Sequence, residues 1–281
     1  MSVFCQIAVD ATTPTSTAME RLALPSVKSL PATLLLLWYL LGMETIKFEA
    51  RDEYGWDVAP RPYPATQAVP DWWKAMTPYS KSEDNPKGTK LIVRDRVSNA
   101  GPKKCVPMLD AITSGYIIPL WSDVQIKNDG PNKFITWRTI EPVFQEHGHQ
   151  AREEVEVPVG FNSQVFKFMN KWRIITPKGY SCLITQPFGY RQTGVQAIPA
   201  VIDTDRSNLE ILPPVWFTND FEGILEKGTP MVQVIPFKRS DWKAEYSYLK
   251  DGEYQKLEDK NFNGTIINHY MKKIWSKKTY S

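Results

Sequence analysis

The chain has 281 residues, 42% hydrophobic and 12% aromatic, enough for one large or two small domains with a buried core, which excludes a disordered chain. Its 22 prolines against 15 glycines disfavour long helices and favour short strands joined by turns. A net charge of +3, from 34 basic and 31 acidic residues, gives no electrostatic case for nucleic acid as the main partner.

The N-terminus opens with a Thr/Ser/Pro-rich, aperiodic stretch over residues 11–17. The run LLLLWYLL then spans Leu34 to Leu41. It is far shorter than the roughly 20 apolar residues that cross a bilayer. Arg21 and Lys28 upstream suit the apolar region of a signal peptide, but no small-x-small cleavage site follows. Residues 1–42 are expected to be a spurious, disordered or targeting extension, or a packed helix, with Met43 as an alternative start.

Ile46 and Phe48 sit at strand spacing, and Pro60, Pro62 and Pro64 then make an extended arm. Asp71 is placed to cap a short helix carrying Trp72, Trp73 and Met76, with the two tryptophans read as a clamp on the body or a stacking platform. Residues 91–98 and 103–109 look extended. Met108 to Thr113 is helix-compatible and stops at Gly115. Tyr116 to Ile126 reads as one strand, NDGPNK as a turn, and FITWRTI as a strand with Phe134, Thr136 and Arg138 opposite Ile135, Trp137 and Thr139.

The second half repeats the style. Two strands flank the turn TPKG, and AIPAVIDTD, NLEILPPVWFT and GTPMVQVIPFKR give three more. In the last, Met231, Gln233, Ile235 and Phe237 share one face, while Val232 and Val234 occupy the other. Both faces are largely apolar, so this strand is expected to be central, with Pro236 ending its pairing or marking a bulge. Beyond Ser240 the spacing of Trp242, Tyr246 and Leu249 predicts a helix, and Ile266, Ile267, Tyr270 and Ile274 predict another. The basic cluster Lys272, Lys273, Lys277 and Lys278 reads as a solvated helix end or a phosphate contact.

The residues that could carry chemistry are few. Cys5, Cys105 and Cys182 form no CxxC pair, which speaks against a disulfide scaffold or zinc site and for a reducing compartment. His147 and His149 would face one side of a strand, with Glu146 nearby, but His269 is remote. Ser181 beside Cys182 lacks the Gly-x-Ser-x-Gly frame of a nucleophile elbow. No Gly-x-Gly-x-x-Gly and no Walker loop occurs. Asp203 and Asp205 follow an apolar strand and could hold a metal, orient a water, or close an Asx turn.

Two resemblances add to this reading. The segments KKCVPMLDAITSGYIIPLWSDV, KWRIITPKGYSCLITQP, AVIDTD and KGTPMVQVIPFKR resemble proteins of T4-like cyanophages and marine bacteria over most of residues 44–243. That likeness implies a phage or bacterial source and a cytoplasmic product, and it carries no activity. AVIDTDRSNLEI followed by EKGTPMVQVIPF is similar to the paired strands of the dUTPase and dCTP-deaminase β-barrels. There Asp203 would match the aspartate that meets the sugar and orients water, and Gln233 the glutamine of the later strand. No tyrosine follows Asp203 at the expected place, PKGYSCL stands where a GRSS-type phosphate loop is found, and the glycine-rich C-terminal arm is missing. The resemblance therefore implies the fold rather than the hydrolase.

The reading is a mainly β protein, a sandwich or compact barrel over 43–240 with short helices, and a helical C-terminal extension over 241–281. Asp203, Gln233 and Arg239 are the expected ligand-binding residues, with Asp203 and Arg239 at one end of the β-body. Three functions stay open. The first is a non-catalytic binding or assembly protein with a homo-oligomeric, phage or host protein partner. The second is a nucleotide- or small-molecule-acting enzyme on a dUTPase-like barrel. The third is a metal-dependent oxygenase-like sandwich using His147, His149 and an Asp. The sequence specifies no cofactor and no membrane span.

Overall fold

Alternating and doubly apolar runs build short strands of two to nine residues here, several of them bounded by proline. The computed structural model describes residues 44–93, 96–190, 194–262 and 270–281. The expectations for residues 1–42, for Ile266 and Ile267, and for His269 lie outside the described residues.

The chain begins with β1 (Lys47–Ala50), helix α1 (Glu53–Val58), β2 (Tyr63–Pro64) and helix α2 (Asp71–Ala75). A small ribbon of β3 (Ile92–Val93) and β4 (Arg96–Val97) leads to helix α3 (Val106–Thr113) and β5 (Tyr116–Pro119). The hairpin of β6 (Val124–Asp129) and β7 (Asn132–Trp137) is followed by β8 (Phe144–Glu146), helix α4 (His149–Glu154) and β9 (Phe161–Phe168). Then come β10 (Trp172–Ile175), β11 (Tyr180–Thr185), β12 (Val195–Ala197) and β13 (Ala200–Ile202). The sheets are completed by β14 (Pro214–Thr218), β15 (Gly223–Leu225) and β16 (Pro230–Lys238), before helix α5 (Glu253–Phe262).

All pairings are antiparallel. A five-stranded sheet runs β13-β11-β16-β5-β2 and a four-stranded one β12-β14-β9-β8. A three-stranded sheet, β15-β6-β7, and the pair β1-β10 complete the body. Cys182, Ile184, Val232 and Val234 of the five-stranded sheet share one apolar core with Phe166, Phe168, Val215 and Phe217 of the four-stranded sheet. The protein is thus mainly β and sandwich-like. No described sheet closes on itself, so the compact barrel is not formed.

β16 is the central strand of the five, as its two apolar faces require. Its ladder with β5 ends at Val234, whereas its ladder with β11 continues to Lys238. Pro236, which has no N–H to donate, therefore lies past the last β5 pair. Gly115 makes the approach to this strand feasible. Its φ is +70°, and a Cβ there would lie 1.9 Å from the Val234 carbonyl oxygen.

Several elements differ from the sequence expectation, each for a local reason. The run 116–126 breaks at Leu120–Asp123 and enters two different sheets. The strand 197–202 breaks at Pro199, with β12 pairing β14 and β13 pairing β11. Residues 103–109 are a helical turn followed by α3 rather than extended. Asp71 lies inside α2, where it pairs with Lys74, and Pro70 takes the cap position. The stripe Trp242, Tyr246, Leu249 forms no helix; the first described helix of the C-terminal region begins at Glu253.

The C-terminal residues return to the body. The Trp275 indole donates to Asp110 Oδ2 at 2.9 Å and Lys278 pairs with the same oxygen at 2.6 Å. The Tyr280 ring meets Tyr116 edge-on. Lys278 of the basic cluster is thus an ion-pair partner, and Asp110 raises its pKa.

Candidate functional site

Asp203 and Arg239 do lie at the same end of the five-stranded sheet. β11 places Cys182 opposite Ile202 on one side and Tyr180 opposite Lys238 on the other, so Ser181 separates the two chain ends. Arg239 Nη1 is 3.2 Å from Asp203 Oδ1 and 2.9 Å from the Ser181 hydroxyl, which itself donates to Asp203 at 2.7 Å. The stronger partner is Asp205, whose carboxylate receives both guanidinium nitrogens and the Gly179 N–H at 2.8 Å. The Arg239 hydrogen bonds, then the Gly179 N–H, hold the Asp205 carboxyl well below the usual range. Arg239 also donates to the Tyr180 carbonyl. This is a closed clasp, and the guanidinium that a ligand would need is already engaged.

Gln233 is elsewhere. It is six residues along β16 from Arg239, about 20 Å at strand rise. The residue is 0% exposed. Its amide nitrogen donates to the carbonyls of Ala111 and Ser114, and its oxygen accepts from Phe188 N–H. It bolts the end of α3 and the 187–190 turn to β16. Gln233 thus lies apart from Asp203 and Arg239 and is enclosed by its own hydrogen bonds, whereas the Asp203 side chain is 48% exposed.

The histidines do not share a strand either. β8 ends at Glu146, and His149 opens α4, so their alternation is lost. His147 accepts a hydrogen bond from Gly148 N–H through Nδ1. Among the described residues no three His, Cys, Asp or Glu side chains gather as metal ligands. Cys182 is buried against Thr204, and burial raises its thiol pKa to about 11.

An open polar site lies on the three-stranded sheet. Ile224, Gln125 and Thr136 are direct neighbours across β15, β6 and β7, forming a row on the solvent face. Asp123 and Arg138 flank that row, just beyond the pair Val124–Trp137. Together with Ser122 and Trp137 they line a cleft of about 360 Å³. One Asp123 oxygen accepts from Lys227 N–H at 2.7 Å, which fixes the carboxylate and leaves the other oxygen open. Gln125, Thr136 and Arg138 make no side-chain hydrogen bond or ion pair among the described residues.

Sequence reasoning passed over these residues because each is an ordinary solvent-face residue in a half-buried strand. The signal was the hairpin itself. Pairing β6 with β7 across the NDGPNK turn puts Gln125 opposite Thr136 and brings Asp123 near Arg138. Compared with protein-family models and with curated proteins, the chain matches none.

Proposed function

We propose that this chain is a non-catalytic binding protein whose ligand is a neutral, hydroxyl-rich molecule of the saccharide class, held in the cleft of the three-stranded sheet. One observation carries this reading: Asp123, Gln125, Thr136 and Arg138 converge on one cleft, one Asp123 oxygen held by Lys227 N–H and the other three side chains without a hydrogen bond or ion pair among the described residues.

The chemistry of that set selects the ligand. Arg138 offers only donors, the free Asp123 oxygen only accepts, and Gln125 and Thr136 do both. An anion would meet Asp123, and a cation would meet Arg138. Adjacent hydroxyls, each a donor and an acceptor, satisfy all four. Ile224 and the Trp137 edge supply apolar surface for the C–H face of a sugar ring. The cleft volume falls within the roughly 300–1,000 Å³ range of small-molecule sites. Its lining holds one carboxylate, where cleavage of a glycosidic bond uses two, which favours binding over hydrolysis. A cytoplasmic setting fits the reading from cysteine usage; no helix among the described residues is long and apolar enough to cross a membrane.

Saturation-transfer NMR with a panel of neutral mono- and disaccharides tests this reading. At least one sugar is expected to give a signal that is lost in both Arg138→Ala and Gln125→Ala. No signal across the panel, or a signal indifferent to both substitutions, removes the cleft as a saccharide site. Binding of citrate or phosphate in its place would assign the cleft to anions.

A further inference from the structure

Residues 241–248 read Asp-Trp-Lys-Ala-Glu-Tyr-Ser-Tyr. Trp242, Ala244, Tyr246 and Tyr248 fall on one face of an extended chain, and Asp241, Lys243, Glu245 and Ser247 on the other. This is a strand pattern, rich in residues that favour strands. Yet among the described residues the segment joins no ladder. No backbone hydrogen bond of residues 241–248 is formed among the described residues. Trp242 is 92% exposed, Tyr246 95% and Tyr248 90%. The Lys243 Nζ to Glu245 Oε1 contact of 3.4 Å joins residues two apart, which share a side only in extended backbone. An amphipathic strand with its apolar face in water and its backbone unpaired is an incomplete structure.

We propose that a second copy of this chain completes it. Two 241–248 segments pair antiparallel about a two-fold axis at Ala244. That centre is chosen by the charges. It sets Lys243 against Glu245 of the other copy twice over, and Asp241 against Ser247 twice over. The same register stacks Trp242 on Tyr246 twice over and brings the two small Ala244 residues together at the axis. Shifting the centre to Lys243 would instead face Lys243 with itself and Asp241 with Glu245, a like-charge arrangement. The segment is therefore self-complementary in one register, the property an isologous interface needs. The cross-strand contacts of Trp242 with Tyr246 cover part of each of these four rings. The clasp on Arg239 anchors the segment where it leaves the sheet.

The test is a charge swap on the full chain, read by sedimentation equilibrium. The parent is expected to dimerise. Lys243→Glu places like charges opposite each other at two symmetric positions and is expected to weaken dimerisation at least about tenfold. The combined exchange Lys243→Glu with Glu245→Lys restores both pairs and is expected to return the parent affinity. Because all of residues 241–248 are exposed, the melting temperature at low concentration should hold in every variant.

Register is read separately by cross-linking in a background with Cys5→Ser and Cys105→Ser. Ala244→Cys should form an intermolecular disulfide under mild oxidation, since residues facing each other across a ladder are about 4.5–5.5 Å apart at Cα. Ser247→Cys should not, because its two copies would lie about 20 Å apart. A parent that stays monomeric, a dimer indifferent to Lys243→Glu, a double exchange that fails to rescue, or cross-linking through Ser247→Cys overturns the proposal.

Discussion

Arg239 and Asp205 meet end-on, with Nη1 2.8 Å from Oδ1 and Nη2 2.5 Å from Oδ2. The fork geometry matters more than the charge, because a lysine ammonium cannot satisfy both oxygens in one plane. Arg239→Lys should therefore destabilise the protein nearly as much as Arg239→Ala, in urea unfolding with unchanged slope. A lysine variant as stable as the parent would show that charge alone suffices.

The same pair has a pH signature. The Asp205 carboxyl sits below its usual value in the folded protein, held there first by Arg239 and then by Gly179 N–H. A depressed carboxylate contributes stability above its unfolded pKa of about 3.9 and loses it as pH falls toward the folded value. Asp205→Asn should lower the melting temperature at pH 7, and the gap to the parent should narrow below about pH 4. A gap that stays constant down to pH 3 would place the stabilisation elsewhere.

Gln233 is a structural bolt, so its loss should be felt in stability. Gln233→Leu keeps the size but strands the Phe188 N–H and the Ala111 and Ser114 carbonyls. We expect a cost of about 2–4 kcal/mol by chemical denaturation. A change under about 0.5 kcal/mol, the range of a surface substitution, would contradict the bolt.

The neighbouring tryptophans should behave unequally. Trp73 is buried, while Trp72 is more exposed, held by an indole hydrogen bond to the Gly189 carbonyl and an edge-on contact with the Trp73 ring. Trp73→Ala should cost about 3–5 kcal/mol as a core deletion. Trp72→Ala should cost less, about 1–2 kcal/mol, for one hydrogen bond and one ring contact. Equal losses would mean that the exposed ring packs more tightly than its surroundings show.

What the sequence disclosed was period and punctuation. The two apolar faces of residues 231–237 identified a central strand, and NDGPNK identified the β6–β7 hairpin. The shared end of Asp203 and Arg239 was expected because both carry charge after an apolar run, and it holds because β13 and β16 each run antiparallel to β11 and so parallel to one another. What those residues do there was not legible, since Asp205 and Gly179 complete the clasp from separate parts of the chain. Gln233 misled because its contacts, Ala111 and Ser114, are more than a hundred residues away. Trp242, Tyr246 and Leu249 fit a helix by spacing, but Trp242, Ala244, Tyr246 and Tyr248 fit a strand equally well. Periodicity alone cannot choose between them in so short a run.

The order of strands in the five-stranded sheet imposes a timetable on synthesis. β5 is made by Pro119, but the strand that must pair with it, β16, begins at Pro230. The ribosome adds the intervening stretch of about 110 residues at roughly 5–20 residues per second, so β5 waits on the order of 10 s for its partner. During that wait Ile117 and Ile118, both buried in the finished fold, face the cell. β11 waits as well for the strand that will lie between it and β5. The sheet assembles only when its last strand enters, so a chain that stops short of residue 238 carries two unmatched edges and is prey to aggregation and proteolysis.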